Sequence, residues 1–304
     1  MSLAPEISVI ICTYNREKFL PNALDSLKNQ TADKSIFEIV IVNNNSTDST
    51  EEISLTFQKN NPQLQVVYVV EKNPGLSFAR NKGIVTAKSE LISFIDDDAI
   101  ARTDFVDNLL SAFKNYPDFG AIGGKVIPIY ESGKEPIWMN PYIQGVVSKV
   151  DYGNNTIEFK KKYPAGCNMS FKKGLFDQHG FFNTDLVYRG DDKFVFTNFR
   201  KKGVKILYDP NVFVNHYIDG YRTEPKFIDK ISKSIGASER LRLQNSGILP
   251  NMSKILEYLF KLGVSFGLFI SYTFKGQFAK GLYSVRVMWH TILGFLSANK
   301  SASL

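Results

Sequence analysis

The chain has 304 residues, 43% hydrophobic and 22% charged, which is enough apolar material for a substantial core and excludes a disordered protein. A net charge of +7 suits an anionic ligand or an acidic membrane surface. It is too dilute for nucleic-acid binding, and no DNA or RNA recognition motif is present.

Ile7–Cys12 is a β-branched run that reads as a buried first strand, with Cys12 a small core residue. It is too short for the core of a signal peptide, and acidic Glu6 precedes it. Cys12 and Cys167 have no second thiol at ligand spacing, so no structural zinc is expected and a reducing, cytosolic compartment fits. Apolar spacing at Phe19, Leu20, Ala23, Leu24 and Leu27 predicts a helix over 17–29. Phe37–Val42 is a second strand, ending in the polar turn 43–48. A helix over 49–60 follows, with Asp48 as N-cap and Glu51 three residues on. Leu64–Val70 is a third strand, Asn73-Pro74-Gly75 a turn, and 76–88 a helix.

Leu91–Asp98 (LISFIDDD) is the centre of the chain: a short buried strand running directly into three aspartates. If the backbone stays extended, Asp96 and Asp98 project to one side and Asp97 to the other. Two hard oxygen donors on one side suit Mg²⁺ or Mn²⁺; the plain alternative is a solvated acidic loop. Strands alternating with helices at this spacing predict βαβ units and a parallel sheet. Ligands of such sheets bind at the carboxyl ends of the strands, where Cys12-Thr13, Asn43-Asn44 and Asp96–Asp98 converge.

Beyond it, 103–116 reads as a helix and Gly120–Tyr130 as extended, with Gly123-Gly124 inside it. Residues 131–162 read as an irregular surface excursion that helps shape an acceptor pocket. Gly166–Phe171 is strand-like, 190–202 helical from Asp191-Asp192, Val204–Tyr208 and Val212–Tyr217 two short strands, and 224–245 a helix. Residues 254–274 and 281–296 are strongly apolar. Their uncharged runs, 262–274 and 287–299, fall short of the ~18–20 residues a bilayer crossing needs. Lys254, Lys261, Lys275, Lys280 and Arg286 flank or interrupt them. A helical hairpin lying in the interface of an anionic membrane is the favoured reading. A pair packed on the catalytic domain or on another subunit, as in a homo-oligomer, is the alternative.

Six motifs in order, SVIICTYNR (8–16), EIVIVNNNSTDST (38–50), NPGLSFARNKGI (73–84), FIDDD (94–98), GCNMSF (166–171) and RGDDKF (189–194), resemble family 2 glycosyltransferases. The resemblance implies a GT-A fold, a mostly parallel α/β sheet flanked by helices, and inverting transfer of a sugar from a nucleotide diphosphate sugar with Mg²⁺ or Mn²⁺. It places Cys12, Thr13 and Asn15 in the first nucleotide loop, Asn44 at the base, Arg80 at the base or phosphates, Asp97 at the ribose, and Asp98 on the metal with Asp96 in support. Asp191 and Asp192 match the pair that supplies the catalytic base, Asp192 favoured and Asp191 second. His216 either completes the metal site through a ring nitrogen or is a core or pyrophosphate-facing histidine. Asn43-Asn44 stands where Asp-Asp is usual, and Asp191 where glutamate is. An amide oxygen still accepts the imide N–H of uracil or thymine, without charge assistance. Tyr14 and Trp138 are either stacking groups for base or sugar or, more ordinarily, packing residues.

The organisation expected is a catalytic domain over 1–225, with a nucleotide-binding half (1–98) and an acceptor half (99–225), then a helical, membrane-associated extension over 226–304. The expected activity moves a sugar, from a UDP-sugar by preference, to a glycan or lipid-linked acceptor of cell-surface polysaccharide or glycoconjugate, on the cytoplasmic face of the membrane. The alternatives are a non-catalytic nucleotide- or carbohydrate-binding scaffold on the same fold, and a nucleotidyltransferase, which would release pyrophosphate. A Rossmann dehydrogenase is disfavoured, because the first strand-to-helix turn has no GxGxxG.

Overall fold

The computed structural model describes residues 4–186, 190–243 and 246–298. Arg189 of the RGDDKF motif, the end of the helix expected to reach Asn245, and Asn299 at the end of the second apolar run lie outside them. In chain order the elements are β1 (Ile7–Thr13), α1 (Leu20–Lys28), β2 (Phe37–Asn43), α2 (Thr50–Asn60), β3 (Gln65–Val70), α3 (Leu76–Thr86), β4 (Leu91–Asp96), β5 (Ala99–Ala101), α4 (Phe105–Asn115), β6 (Phe119–Tyr130), β7 (Ile157–Glu158), β8 (Met169–Lys172), α5 (Gly174–His179), α6 (Asp191–Lys201), β9 (Lys205–Ile218), α7 (Pro225–Leu243), α8 (Ile248–Phe274) and α9 (Phe278–Ser297). They form two units: Met1–Pro128, Lys149–Thr184 and Asp192–Tyr217 in the first; Ile129–Ser148, Asp185–Asp191 and Ile218–Leu304 in the second.

In the first unit the sheet runs β3-β2-β1-β4-β8-β6-β9-β5, with β7 beside β9. The first four strands are parallel, while β8 runs antiparallel to both β4 and β6. Parallel neighbours need crossovers, supplied by α1, α2 and α3; the later strands pair antiparallel and need none. The sheet is therefore mixed, parallel where the helices alternate. β1, β2 and β4 are buried on both faces, which is why they read as unbroken apolar runs. α1 buries Leu20, Ala23, Leu24 and Leu27 on one stripe. It starts three residues later than its periodicity predicts, because the backbones of Arg16 and Glu17 are bonded to Thr50 and Asp48 instead.

The two short strands expected at 204–217 are one strand, β9. Pro210 does not break it, because the pairings to β7 use Leu207 and Tyr208 and those to β5 use residues 214–216. The missing N–H thus falls outside both of these pairings. Gly124 lies against this strand so closely that a Cβ there would sit 1.5 Å from the Val212 carbonyl oxygen.

In the second unit α7, α8 and α9 pack as a helical cluster. A Cβ on Gly236 of α7 would meet the Thr291 carbonyl at 1.9 Å, and one on Gly294 of α9 the Lys233 carbonyl at 2.0 Å. Only glycine lets these two helices approach so far. Arg286 holds Asp229 through two bonds of 2.6 and 2.8 Å. The second-unit part of the expected surface excursion, 131–148, is not wholly superficial. Trp138, Met139, Ile143, Val146 and Val147 are buried with Ile228 and Ile231, because the apolar residues between its prolines find partners on α7 and α9. Trp138 stacks on Tyr283 with ring centres 4.7 Å apart, so it is a packing residue.

α8 begins at Ile248, earlier than the apolar run predicts, and reaches 27 residues. By length and composition it is long and apolar enough to cross a membrane; within its most apolar 18-residue window only 11% is buried. The reading that the tail is too short to cross rested on uncharged runs alone, and helix length corrects it.

Candidate active site

The strand register lines up the polar ends of the parallel strands: Thr13 opposite Asn43, Cys12 opposite Asp96. The loops that follow are tied to one another. Asn15, in the left-handed region at φ 52°, donates its N–H to Ser46 Oγ (3.0 Å), and its side-chain oxygen accepts the Thr47 N–H (2.8 Å). Asp48 does not act as a simple N-cap: one oxygen takes the Thr50 N–H and the other the Glu17 N–H, joining α2 to the loop after β1. Tyr14 is exposed beside this loop.

Asn44 has a structural reason to be an amide, and Asn43 beside it is bonded through both ends of its own amide. Asn43 Nδ2 donates to the Tyr68 hydroxyl (2.8 Å) while its oxygen accepts the Ser46 N–H (2.9 Å). Asn44 Nδ2 donates to the carbonyls of Glu71 (2.9 Å) and Asn73 (2.6 Å), and its oxygen accepts the Gly75 N–H (2.8 Å). A carboxylate cannot donate. Asn44→Asp is therefore expected to set an anion against two carbonyl oxygens and cost about 1–3 kcal/mol of stability, measured as the loss in a urea titration; an unchanged midpoint would contradict it.

The three aspartates are buried unequally. Asp97 and Asp98 are nearly covered and Asp96 is half-exposed. Asp96, Asp98 and His216 bring one donor atom each within 4.8 Å of one another. His216 Nε2 is 3.0 Å from Asp98 Oδ1. The register places His216 opposite Ala99, so β9 delivers the imidazole to the acidic turn. Arg80 Nη2 is 3.6 Å from Asp96, over the rings of Phe94 and Phe182, and donates to the Gly166 carbonyl at 3.4 Å. A Cβ on Gly166 would come 2.7 Å from that nitrogen, so the glycine leaves the guanidinium its present place.

Arg16 was not singled out from the sequence. Its Nε lies 3.4 Å from Asp97 and its Nη2 3.2 Å from Asp98. The available signal was the arginine closing SVIICTYNR, at a strand end facing three carboxylates. Burial, then the charge of Asp98, pushes the Asp97 carboxyl up to about 7; Arg16 opposes this, and Asp96 adds to it. The buried Cys167 thiol is raised well above its ordinary value by burial first, then by Asp96 and Asp98, with Asp192 also contributing. Asp192 is thus within electrostatic reach of Cys167, the thiol that Asp96 and Asp98 also act on. Asp191 and Asp192 open α6, where the helix dipole favours negative charge. Asp191 belongs to the second unit and Asp192 to the first.

The donor set, two carboxylates and one imidazole around an anionic turn, fits a divalent cation of the Mg²⁺ or Mn²⁺ kind, the imidazole favouring Mn²⁺.

Comparison with known proteins agrees with this geometry. The chain is 27% identical over 230 residues to the glucosyl-dolichyl phosphate glucuronosyltransferase of Haloferax volcanii, spanning 72% of this chain and 71% of that protein. It is 26% identical over 250 residues to the dolichyl N-acetyl-alpha-D-glucosaminyl phosphate 3-beta-D-2,3-diacetamido-2,3-dideoxy-beta-D-glucuronosyltransferase of Methanococcus voltae, spanning 78% and 74%. Two further curated relatives are matched over 30% and 36% of their own lengths. Among solved structures, a Pyrobaculum calidifontis mannosyltransferase in complex with GDP-Man and Mn²⁺ superposes with a TM-score of 0.64 at 17% identity, covering 97% of this chain and 88% of that one. The GT-A architecture is common to both. The glycosyl transferase family 2 model matches residues 8–180, from β1 through all three polar strand ends to α5, and the chain belongs to that family.

Proposed function

We propose that the protein is an inverting, metal-dependent glycosyltransferase that moves a sugar from a nucleotide diphosphate sugar, UDP-sugar favoured, to a glycan or lipid-linked acceptor. The observation that carries this is the meeting of Asp96, Asp98 and His216 at the carboxyl ends of parallel strands, where α/β sheets bind ligands. Residues 1–98 form the nucleotide half, 99–225 the acceptor half, and 226–304 the extension. Asp98, Asp96 and His216 would hold Mg²⁺ or Mn²⁺, which when bound supplies Lewis-acid neutralisation of the leaving diphosphate. Cys12, Thr13 and Asn15 shape the first nucleotide loop and Asp97 faces the ribose. Asn44 acts by fixing the backbone of 71–75 around the base, and Arg80 by aligning Asp96 with the phosphates. Asp192, with Asp191 second, accepts the acceptor hydroxyl proton opposite the leaving group, so one displacement inverts the anomeric centre.

The test is release of nucleoside diphosphate from a panel of UDP-, GDP- and dTDP-sugars with Mn²⁺, with and without chelator. Chelator-sensitive release from one donor is the expected result. Absence of both turnover and binding with every donor would sink the proposal, and release of pyrophosphate would favour a nucleotidyltransferase.

The relatives named for dolichyl-phosphate-linked sugars support a lipid-linked acceptor in cell-surface glycoconjugate synthesis. So does the second unit, whose α8 exposes Leu249, Leu256, Phe260 and Phe274, with Lys275 at the turn into α9 and Lys280 in the first turn of α9. This face would lie on the cytoplasmic, anionic side of a membrane. Replacing Leu256 and Phe260 (64% and 73% exposed) with glutamate is expected to lower flotation with anionic vesicles roughly tenfold or more, leaving turnover on a soluble acceptor intact. Unchanged flotation would refute the membrane role and leave a second copy of the chain as the partner.

A further inference from the structure

Two arginines already serve the acidic turn. Arg16 reaches it from the loop after β1 and Arg80 from α3. Against Asp96, Asp97 and Asp98 they leave one net negative charge when all three carboxylates are ionised, and less when Asp97 is protonated. A divalent cation entering alone would turn the cluster net positive, with Arg16 hydrogen-bonded at 3.2 Å to the same Asp98 that must bind the metal. A diphosphate entering with the metal restores the balance and offers the guanidinium new oxygens. The two partners of Arg16 are fixed and covered, their side chains 9% and 4% exposed, whereas the Arg16 side chain is 29% exposed and rests on the Phe19 ring at 5.1 Å. The arginine is the member of this pair that can move. Its backbone N–H is held by Thr50 Oγ1, so the side chain can turn without disturbing the loop.

We propose that Arg16 is the resident counter-ion of the metal site: it competes with a lone divalent cation for Asp97 and Asp98, and it transfers to the diphosphate when metal and nucleotide enter together. This rests on the metal and nucleotide assignment proposed above. Arg16 is accordingly a positioning residue that makes metal affinity conditional on the donor. Linkage makes the coupling reciprocal: whatever factor the nucleotide adds to metal binding, the metal adds to nucleotide binding.

The experiment is titration of Mn²⁺, followed by the electron paramagnetic resonance signal of the free ion, with and without UDP or GDP, for the wild type, Arg16→Gln, Arg16→Met and Asp98→Asn. The wild type is expected to bind Mn²⁺ weakly alone and on the order of 10- to 100-fold more tightly with the diphosphate. Arg16→Gln should bind Mn²⁺ alone roughly tenfold more tightly than the wild type and lose most of the coupling. Arg16→Met keeps a long unbranched side chain without the charge and gives the same result if the glutamine variant misfolds. A merely structural arginine would lower or leave both affinities, and that outcome overturns the proposal while the metal site stands. If the wild type binds no Mn²⁺ even with a diphosphate, or if Asp98→Asn binds it as well as the wild type, the metal assignment itself falls and takes the proposal with it.

Discussion

Asp98→Asn is expected to abolish metal-dependent turnover, a loss of about 10³-fold or more, since a cation on the leaving diphosphate is worth several kcal/mol of transition-state stabilisation. Asp98 is the only aspartate of the turn that touches both His216 and Arg16 among the described residues, so neither neighbour replaces it. The same variant should lose the rise in melting temperature that Mn²⁺ with a nucleoside diphosphate gives the wild type; a ligand at 100 times its dissociation constant stabilises by about 2.7 kcal/mol. Retention of that rise would remove Asp98 from the metal site.

The pH dependence has a definite sign. The Asp97 carboxyl titrates at about 7 when folded, against an ordinary value near 3.8. The folded state binds the proton more tightly, so Asp97 favours folding at acid pH, and this contribution is lost as pH rises toward 7. A cation that needs the ionised cluster shows the reverse. The Mn²⁺-induced rise in melting temperature is expected to be larger at pH 8 than at pH 6. Equal rises at the two pH values would count against this reading of Asp97.

Asp192→Asn is expected to lower turnover by about 10²–10⁴-fold, the usual contribution of a positioned general base. Binding of Mn²⁺ and nucleoside diphosphate should persist, because Asp192 is not among the metal donors. That separation, chemistry lost and donor binding kept, distinguishes a base from a residue that merely opens α6. Asp191→Asn should cost less. A larger loss in Asp191→Asn would move the base to Asp191. Full activity in both would favour the non-catalytic scaffold.

The local parts of this fold were legible because each rests on neighbours in sequence. β1, β2 and β4 announce themselves as β-branched runs buried on both faces, α1 and α4 by apolar stripes, and the acidic turn by its place at a strand end. Where the reading failed, the deciding contacts were distant. Val204–Tyr208 and Val212–Tyr217 read as two strands, yet they are one, paired with β7 before Pro210 and with β5 after it. Trp138 sits in a proline-rich stretch that looked superficial, and Tyr283, 145 positions later, covers it. The start of α8 was missed because Ile248–Ser253 carries no periodicity of its own.

The same division runs through the site at Leu91–Asp98. The sequence alone determined that three carboxylates follow a buried strand and that the motif order is that of a glycosyltransferase family. Only the tertiary structure decided which side chains meet each carboxylate. His216 arrives through the β5–β9 ladder, Arg16 and Arg80 from two other elements, and Asn44 is committed to three backbone groups. Chain order carries composition and period. The charge balance of a buried cluster depends on side chains brought within 4 Å from far along the chain, and only the fold sets those distances.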